Sequence, residues 1–334
     1  MDKRVLLGHG SGGKLSHDLI NRNVLPFLTN PILERMDDSA VVDINWRTAF
    51  TTDSFVVNPI FFPGGDIGKL AVCGTINDLA MVGAKPIYLS LALIIEEGLP
   101  LEELERVLSS VRSAAEETDI KIITGDTKVV NRGSADKLFI NTAGIGMISP
   151  DINISGANAK IGDKIILSGP IGDHGISVMA QREGLRLKIP VQSDCAPLSS
   201  LVEAMLAYPQ DIHCLRDPTR GGLATTLNEL AAQSKMSIRI FEDKIPIRDS
   251  VRIACEMLGL DPLYIANEGK LVAIVTPERS EEILNTMRHN PYGSESTIIG
   301  EVIESRTSRV VMRTLLGASR ILDMLSGELL PRIC

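Results

Sequence analysis

Apolar residues recur along the chain in two periods, one typical of strands and the other typical of helices. Apolar runs, many of them β-branched, predict strands at residues 40–44, 49–57, 87–95, 120–125 and 138–148. Helical spacing predicts a helix that begins near residue 100, whose apolar face is formed by Leu101, Leu104, Val107, Leu108 and Val111. Because strands alternate with helices, residues 1–150 are predicted to form an α/β domain.

A second cycle of strand and helix signals follows a stretch rich in Gly, Asn, Ser and Asp at residues 149–163. The predicted elements are a strand from residue 164, helices near 197–208 and 221–234, a strand at 237–241, a strand–helix pair over 270–289, strands at 296–303 and 309–313, and an apolar segment at 314–325. We therefore place a domain boundary near residue 150 and a second α/β domain over residues 151–326. Gly327 and Pro331 predict a flexible tail over residues 327–334.

The overall composition narrows the class of protein. Hydrophobic residues make up 44% and charged residues 23% of the 334 residues, as in ordinary globular proteins. A net charge of -8 argues against a nucleic-acid-binding surface, which requires a basic face. The chain has no apolar run long enough to span a bilayer and no secretory signal pattern, so a cytoplasmic protein is predicted.

The five cysteines do not form a CxxC pair, which argues against a zinc knuckle or a thioredoxin-like site. Cys73, Cys214 and Cys255 have apolar neighbours and are predicted to be small core residues. Cys334 differs because it is the last residue of the chain, where prenylation signals do not place their cysteine. Two interpretations stay open at this point: an incidental cysteine on a frayed end, or a thiol on a carrier arm.

The N-terminal glycine-rich segment GHGSGGK (residues 8–14) fits two nucleotide-binding patterns only in part. A P-loop requires Ser or Thr where Leu15 stands, and a Rossmann fold requires a complete strand before the loop. Backbone N–H groups at Gly12 and Gly13 could still approach an anion closely, with Lys14 adding positive charge. A glycine loop without a ligand explains the segment equally well.

Acidic residues that are dispersed over four segments form a stronger pattern. Asp53 and Asp78 are embedded in apolar sequence, where an unpaired carboxylate has a large desolvation penalty. The other acids of this set are Asp37, Asp38 and Asp126, and the same segments contain Asn77 and Lys128. Each aspartate alone is explained as a turn or cap residue. Together they provide the oxygen ligands that Mg²⁺ prefers when it bridges nucleotide phosphates, and so predict an ATP site without a P-loop.

The motifs DDSAV, TTDS, LAVCGTINDLAMVGAKP, GDTK and DPTRGGL resemble, in this order, those of the aminoimidazole ribonucleotide synthetase (PurM-like) superfamily. Within it, NEGK at residues 267–270 and the terminal PRIC resemble the HypE family of hydrogenase maturation proteins. Selenophosphate synthetases of the same superfamily usually have a reactive cysteine or selenocysteine in the glycine loop. This chain has no cysteine there, and its terminal cysteine is the candidate reactive sulfur.

The resemblance implies a two-domain PurM-like α/β fold, with an N-terminal domain that pairs into a dimeric β-barrel, a C-terminal α/β sandwich and a mobile tail. It implies the ATP-dependent dehydration of a carbamoyl group on Cys334 to a thiocyanate, which supplies cyanide ligands for the iron of [NiFe]-hydrogenases. Lys128 and Glu268 are the candidate bases. Mg²⁺ is assigned to Asp38, Asp53, Asp78 and Asp126, with Asp37 as a further candidate. ATP is assigned to these aspartates together with Asn77, Gly12, Gly13, Arg220, Gly221 and Gly222. Asp217 or Thr219 of the DPTRGGL motif is interpreted as a possible cap of the helix that follows.

The same resemblance implies a homodimer with ATP near its interface, the carbamoyltransferase HypF as donor and the HypC–HypD complex as acceptor. Arg332 is expected to offset the charge of the terminal carboxylate and so to favour the Cys334 thiolate. The five histidines show no shared spacing and are interpreted as structural. Two alternative functions remain: another PurM-like small-molecule kinase, and a non-catalytic carrier of a sulfur-bound group.

Overall fold

Two β-sheets, one in each half of the chain, organise the fold. A computed structural model describes residues 4–6, 9, 18–32, 44–184, 190–304, 307–325, 330 and 332–334. The N-terminal sheet has four strands in the order β1-β6-β4-β5. Their bounds are β1 (Arg47–Phe55), β4 (Lys85–Glu96), β5 (Lys121–Val130) and β6 (Leu138–Ile148), and a small hairpin is formed by β2 (Phe61–Phe62) and β3 (Gly65–Asp66).

Helices cover one face of the N-terminal sheet. The helices of this half are α1 (Leu25–Leu28), which continues a π-helical turn at Ile20–Val24, α2 (Ile67–Met81) and α3 (Leu101–Glu117). The α2 helix begins at Asp66, whose carboxylate accepts hydrogen bonds from the N–H groups of Gly68 and Lys69 at 2.8 and 3.0 Å. Because α2 lies between the sheet and α3, it is buried on almost every side.

The opposite face of this sheet, which we call the outer face, is formed by the alternate residues of each strand. Thr142 of β6 points towards α2, where it forms a hydrogen bond with Thr75, so Asn141 points outward. Apolar side chains on the outer face remain exposed, with Phe50 69% and Ile94 41% exposed. An exposed apolar sheet face is typical of an interaction surface.

The C-terminal sheet has seven strands in the order β13-β12-β9-β11-β7-β10-β8. Their bounds are β7 (Lys164–Leu167), β8 (Ile212–Arg216), β9 (Ser237–Phe241), β10 (Val272–Val275), β11 (Thr297–Ile303), β12 (Val310–Arg313) and β13 (Ser319–Leu322). The helices of this half are α4 (Asp173–Arg182), α5 (Ser199–Met205), α6 (Gly222–Ser234), α7 (Asp249–Leu258) and α8 (Ser280–Arg288). All pairs in this sheet are antiparallel except β9 with β12.

Alternate residues of the central strands enter two different cores. Ile165 of β7 packs in the cluster with Leu227 of α6, whereas the adjacent Ile166 packs in the cluster with Leu201 of α5 and Ile283 of α8. Both faces of this sheet are therefore covered. Among the described residues, no helix is long and apolar enough to cross a membrane.

Most of the predicted elements are confirmed in position and type. The strands at 138–148 and 237–241 and the helix after residue 100 have the predicted bounds or nearly so. The prediction for the GDTK motif was wrong in one respect, because β5 continues through Asp126 and Lys128 rather than ending before them. Helices α4 and α7 were not predicted, and the predicted strand at 40–44 lies, except for residue 44, outside the described residues.

Candidate active site

The C-terminus of the chain lies inside the protein, against both halves. Arg332, Ile333 and Cys334, which we call the docked tail, line a cavity of about 270 Å³ together with Val56, Arg220 and other residues. The Val56 N–H donates a hydrogen bond to the Cys334 oxygen at 3.1 Å, and the Asn58 N–H donates to the Arg332 carbonyl at 3.2 Å. The docked tail thus pairs with the segment that follows β1.

Cys334 is 8% exposed, so the terminal thiol is buried in this conformation and does not lie on a frayed end. Burial raises the pKa of the Cys334 thiol, and the negative charge of Glu268 raises this pKa further, whereas Arg220 lowers it. The expected role of Arg332 is also wrong. Its guanidinium forms an ion pair with Asp136 at 2.6 Å, and the cation that favours the thiolate is Arg220.

The NEGK segment holds Glu268 beside the docked tail. The backbone N–H groups of Glu268 and Gly269 donate to the Asp194 carboxylate at 3.1 and 3.3 Å, and Lys270 pairs with the same carboxylate at 3.2 Å. A Cβ on Gly269 would lie 1.8 Å from the Asp194 carbonyl oxygen, so this close approach requires glycine. The loop position of Glu268 is therefore rigidly defined.

The Glu268 side chain is 4% exposed, and its Oε1 has no hydrogen-bond partner among the described residues. Burial raises the pKa of this carboxyl well above its ordinary value, and nearby Cys195, Asp217, Asp194 and Asp53 raise the pKa further. A carboxylate with a raised pKa is a stronger base once it is ionised. An unpaired, buried carboxyl beside a substrate-type thiol is a functional arrangement rather than a structural one.

Asn77 was assigned to ATP, but in the structure its amide is engaged with backbone. It donates to the carbonyl of Ala196 at 3.1 Å and accepts from the N–H of Leu198 at 2.8 Å. It also donates to the Glu268 carbonyl at 3.4 Å. Asn77 therefore connects α2 to the loops that carry Glu268, and its assignment to ATP stays a prediction.

Asp53 and Asp78 lie together on the inner face of the N-terminal sheet. Thr51 of β1 donates to the Asp78 carboxylate at 2.8 Å, and Asp53 points to the same face as Thr51 because strand residues alternate. Burial raises the pKa of both carboxyls, and the charge of Asp53 raises the pKa of Asp78. Both acids, which the sequence places among apolar residues, are half-buried in the structure.

A third acid, Asp217, joins this pair from the C-terminal half. Burial raises the pKa of Asp217 to about 7, and the charges of Asp78 and Asp53 contribute. Asn267 fixes the Asp217 loop by donating a hydrogen bond to the Pro218 carbonyl at 2.8 Å. Sequence reasoning treated Asp217 only as a possible helix cap. The sequence feature that could have identified Asp217 is the DPTRGG motif, of which it is the first residue and whose Gly221 lies next to the tail.

Arg220 and the glycine pair lie at the rim of the same cavity. Gly221 lines the cavity with Arg220, and α6 begins at Gly222, as predicted. Gly221 has φ 78°, and a Cβ there would lie 2.2 Å from the Thr225 hydroxyl. The amide groups at the start of α6 are thereby brought to the docked tail, an arrangement that suits an anion.

Asp126 and Lys128 do not join this cluster within one chain. They form an ion pair at 3.5 Å, and both side chains are more than 60% exposed. Asp126 of β5 pairs with Ala92 of β4, and Ala92 pairs with Asn141 of β6. Because paired residues of neighbouring strands point to the same face, Asp126 points to the outer face, as Asn141 does. Two strands separate β5 from β1, a distance of about 14 Å across the sheet.

The remaining assigned residues cannot be compared with the geometry. Asp37, Asp38, Gly12 and Gly13 lie outside the described residues. Within the part of the chain that is described, no three His, Cys, Asp or Glu side chains are grouped as a metal site. The Mg²⁺ ligand set therefore stays a prediction.

The remaining cysteines are buried, and the cysteines predicted to be core residues are confirmed as such. Cys73, Cys195, Cys214 and Cys255 are each at most 2% exposed. Burial raises the pKa of Cys255 to about 11 and of Cys214 to about 12. These thiols are therefore protected and unreactive in the folded protein.

Comparison with known proteins identifies the family. The N-terminal domain model of AIR synthase-related proteins matches residues 36–148, and the C-terminal domain model matches residues 160–313. The chain is 51% identical to the carbamoyl dehydratase HypE of Azotobacter vinelandii, over 99% of this chain and 97% of that protein. It is similar to a crystal structure of hydrogenase maturation protein HypE in complex with ATP, with a TM-score of 0.96 and 51% identity, over 99% of this chain and 100% of that chain.

A crystal structure of a HypE–HypF complex is also similar, with a TM-score of 0.82 and 47% identity, over 94% of this chain and 100% of that chain. These matches extend over both halves of the chain and agree with the two sheets described above. The chain therefore belongs to the HypE family of carbamoyl dehydratases, within the AIR synthase-related proteins.

Proposed function

We propose that this chain uses ATP to dehydrate a carbamoyl group on its own C-terminal cysteine, and so supplies cyanide for the iron of [NiFe]-hydrogenases. The observation that carries this proposal is the position of Cys334. The last residue of the chain is buried in a cavity, with Glu268, Asp53, Asp217 and Arg220 close enough to shift the pKa of its thiol. A terminal cysteine placed among charged groups in this way is a substrate presented to its own active site.

The reaction begins with the thiocarbamate Cys334–S–C(O)NH₂. The carbamoyl oxygen attacks the γ-phosphorus of ATP, ADP leaves, and the oxygen becomes part of a phosphate ester, which is a good leaving group. Loss of phosphate and of the nitrogen protons then gives Cys334–S–C≡N. The carbamoyl oxygen ends in inorganic phosphate, so no free water has to be expelled from the site. The second half of this sequence requires a base near the nitrogen.

Glu268 is the base that the geometry favours. Its carboxyl is buried beside the thiol, and its Oε1 has no competing hydrogen-bond partner among the described residues. The raised pKa gives the ionised form the basicity to accept a proton from an amide-type nitrogen activated by phosphorylation. Lys128 stays a candidate only through a second copy of the chain, because it lies on the outer face.

We propose that the triphosphate binds beside Asp53 and Asp78, with Arg220 and the start of α6 as its positive contacts. Burial raises the pKa of both carboxyls and the charge of Asp53 raises the pKa of Asp78, an effect that a bound cation would offset, so Asp53 and Asp78 fit a site for Mg²⁺. When bound, Mg²⁺ supplies neutralisation of the phosphate charge. The assignments of Asp38, Asp126, Gly12 and Gly13 remain part of the proposal.

The electrostatics of the docked tail imply that Cys334 is loaded elsewhere. A thiol with a raised pKa is a poor nucleophile, so the docked Cys334 is not suited to accept a carbamoyl group. We therefore propose that the docked tail, Arg332 to Cys334, leaves the cavity to be loaded and returns for dehydration. HypF is the proposed donor, because the similar HypE–HypF complex pairs HypF with a relative that is 47% identical.

The function is tested with isolated carbamoylated protein and Mg-ATP. We expect the protein alone to release one phosphate per chain and to lose about 18 Da, the mass of one water, because all the required groups lie in the chain. Intact mass and phosphate release are the measurements. A non-catalytic carrier would retain the carbamoyl mass in this experiment, and a PurM-like small-molecule kinase would show the same ATP turnover with the tail removed.

We also propose that the chain is a homodimer assembled through the outer face. Two outer faces brought together would bury the exposed Phe50 and Ile94 of each copy. The edge strands are β1 and β5, so closing the two sheets into a barrel would place β5 of one copy beside β1 of the other. Asp126 and Lys128 would then lie near β1 of the partner on the outer face, whereas Asp53 of that strand lies on the inner face.

Replacement of Phe50 by glutamate is expected to convert the dimer to a monomer and to reduce dehydration strongly. A buried, unpaired carboxylate in the centre of an apolar interface is unfavourable by roughly several kcal/mol. Molar mass by light scattering checks the assembly, and the assay above checks the activity. Leu316→Glu is the matched control, because Leu316 is 97% exposed on the β12–β13 turn. A Phe50→Glu protein that remains dimeric would contradict this interface.

We propose the HypC–HypD complex as the acceptor of the cyanide group.

We also propose a domain boundary near residue 150. This boundary is supported by the two sheets, whose strands lie within residues 47–148 and 164–322. The predicted cytoplasmic location stays a prediction.

A further inference from the structure

We propose that His174 and Arg182, both on α4, are positioning residues that form a latch for the docked tail and set the fraction of molecules in which it is docked. This inference rests on the proposed function, because a tail that leaves the cavity and returns to it needs contacts that hold it in the docked position. Neither residue was assigned a role by its sequence pattern, and neither touches the reacting sulfur.

His174 contacts the tail through one ring nitrogen and the protein through the other. Its Nε2 lies 2.8 Å from the Ile333 carbonyl oxygen, and its Nδ1 lies 2.8 Å from the Ser193 hydroxyl. Because a carbonyl can only accept, Nε2 carries the hydrogen, and the neutral ring then accepts from Ser193 at Nδ1. The ring is fully buried and packs edge-on against Phe62 at 5.4 Å.

The neutral form of this ring is favoured by its surroundings. Burial lowers the pKa of His174, and this effect exceeds the opposing effects of the Asp194 charge and of the hydrogen bond to Ile333. The orientation of Ser193 is supported by its backbone N–H, which donates to the Pro63 carbonyl at 2.8 Å. The imidazole is thus held in one tautomer that presents a donor to the tail.

Arg182 completes the latch at the other end of α4. Its Nη2 donates to the Arg332 carbonyl at 2.7 Å, and its Nε donates to the Asn58 carbonyl at 2.7 Å. The Arg332 carbonyl also accepts from the Asn58 N–H. One guanidinium therefore binds the tail and the segment with which the tail pairs, and it connects the C-terminal half to the N-terminal half.

Both latch contacts are made to backbone carbonyls and not to the side chain of Cys334. The same contacts are therefore available when the sulfur carries hydrogen, a carbamoyl group or a cyano group. A latch of this kind lets the docked state form for each of these species, whereas recognition of the thiol itself would fail after loading. Loss of His174 removes the donor to the buried Ile333 carbonyl, and loss of Arg182 removes a charge-assisted hydrogen bond and leaves the Arg332 carbonyl with the Asn58 N–H. Either loss is expected to disfavour docking by about tenfold.

The test compares His174→Phe, His174→Gln and Arg182→Met in the full-length protein. Phenylalanine keeps an aromatic ring without a donor, whereas glutamine retains an N–H near the position of Nε2. The control is His213→Gln, which changes another buried imidazole whose ring pairs with Asp163. Two rates are measured: alkylation of Cys334 by iodoacetamide, read by peptide mass, and dehydration of the carbamoylated protein with Mg-ATP.

We expect His174→Phe and Arg182→Met to raise the Cys334 alkylation rate and to lower the dehydration rate, by two factors whose product is about ten, the change in the docking equilibrium. His174→Gln should restore most of both rates, and His213→Gln should change neither. The four buried cysteines serve as an internal control, because they react only if the fold is lost. Opposite changes in the two rates are not produced by a general loss of activity.

The proposal is overturned if His174→Phe alkylates at the wild-type rate, or if His174→Gln is as defective as His174→Phe. If the core cysteines also react in His174→Phe, that variant has lost its fold, and the latch is tested with His174→Gln and Arg182→Met instead. Alkylation of Arg182→Met at the wild-type rate would then overturn the latch. Alkylation of the unloaded protein requires neither ATP nor a carbamoyl group, so its rate is independent of the dehydration reaction. Faster alkylation in a protein that never dehydrates its carbamoyl group would therefore support the latch and contradict the proposed function.

Discussion

Replacement of Cys334 by alanine is expected to abolish both the carbamoylated and the cyanylated forms of the protein. The reason is that the sulfur is the atom to which the group is attached, so no other side chain can compensate. The four other cysteines are buried, and burial raises the thiol pKa of Cys214 and Cys255, so this group offers no substitute nucleophile. Intact mass after incubation with HypF, its substrates and Mg-ATP measures the outcome.

Cys255→Ala is the matched control, because Cys255 is 1% exposed and packs in a small cluster with Val251 and Ile265. This variant should acquire both modifications, and the unfolding midpoint of Cys334→Ala should be close to that of the wild type. A Cys334→Ala protein that still gained the carbamoyl mass would show that the tail is not the carrier. An unmodified Cys255→Ala protein would instead indicate that the assay responds to loss of stability.

Replacement of Glu268 by glutamine is expected to leave carbamoylation intact and to slow dehydration by about 100-fold or more, the usual contribution of a general base. In the wild type, the dehydration rate should rise with pH through the raised pKa of Glu268, because only the ionised carboxylate accepts a proton. The dehydration rate of Glu268→Gln should not rise with pH in this range. Single-turnover mass spectrometry over a series of pH values measures both effects.

Glu281→Gln is the control for Glu268→Gln, because Glu281 is exposed on α8 and remote from the tail. Its rate and pH profile should equal those of the wild type. Wild-type dehydration by Glu268→Gln would remove Glu268 from the mechanism. Loss of carbamoylation in the same variant would place its role in tail release or loading instead.

The same substitution is expected to stabilise the fold at neutral and higher pH. Burial raises the folded-state pKa of Glu268 above 4.5, so the folded state binds this proton more tightly than the unfolded state does. Its contribution to stability is fully present below pH 4.5 and is lost as the pH rises through the folded pKa. A tenfold difference in proton affinity between the two states corresponds to about 1.4 kcal/mol. Chemical unfolding over a pH series should therefore show Glu268→Gln gaining stability over the wild type across this interval, and equal stabilities throughout would contradict the raised pKa.

The positions of the acids show how far sequence reasoning reaches. Asp53 and Asp78 were assigned to one site because each interrupts an apolar stretch, and the charge of Asp53 acts on both Asp78 and the docked thiol. Asp126 belongs to the same motif set but lies on the opposite face of the sheet. Residue spacing predicts which side chains share a face within one strand, but the face that covers the core is decided by packing between elements.

Asp217 and His174 show the complementary error. Asp217 appeared to be a cap residue, and His174 appeared to be a structural histidine, because neither has a distinctive local pattern. Asp217 became significant through its proximity to Asp78 and Asp53, which are more than 130 positions away in the sequence. His174 became significant through a carbonyl that lies 159 residues further along the chain.

The sequence by itself determined the periodic elements, the set of acids, the glycine pair before α6 and the position of a cysteine at the chain end. These features depend on residue type and on local spacing, which are independent of the rest of the molecule. Only the tertiary structure decided that Cys334 is buried, that Arg220 rather than Arg332 acts on its charge, and that Glu268 stands beside it. Such proximity arises when two sheets pack and the tail docks against both halves, and local spacing does not encode it.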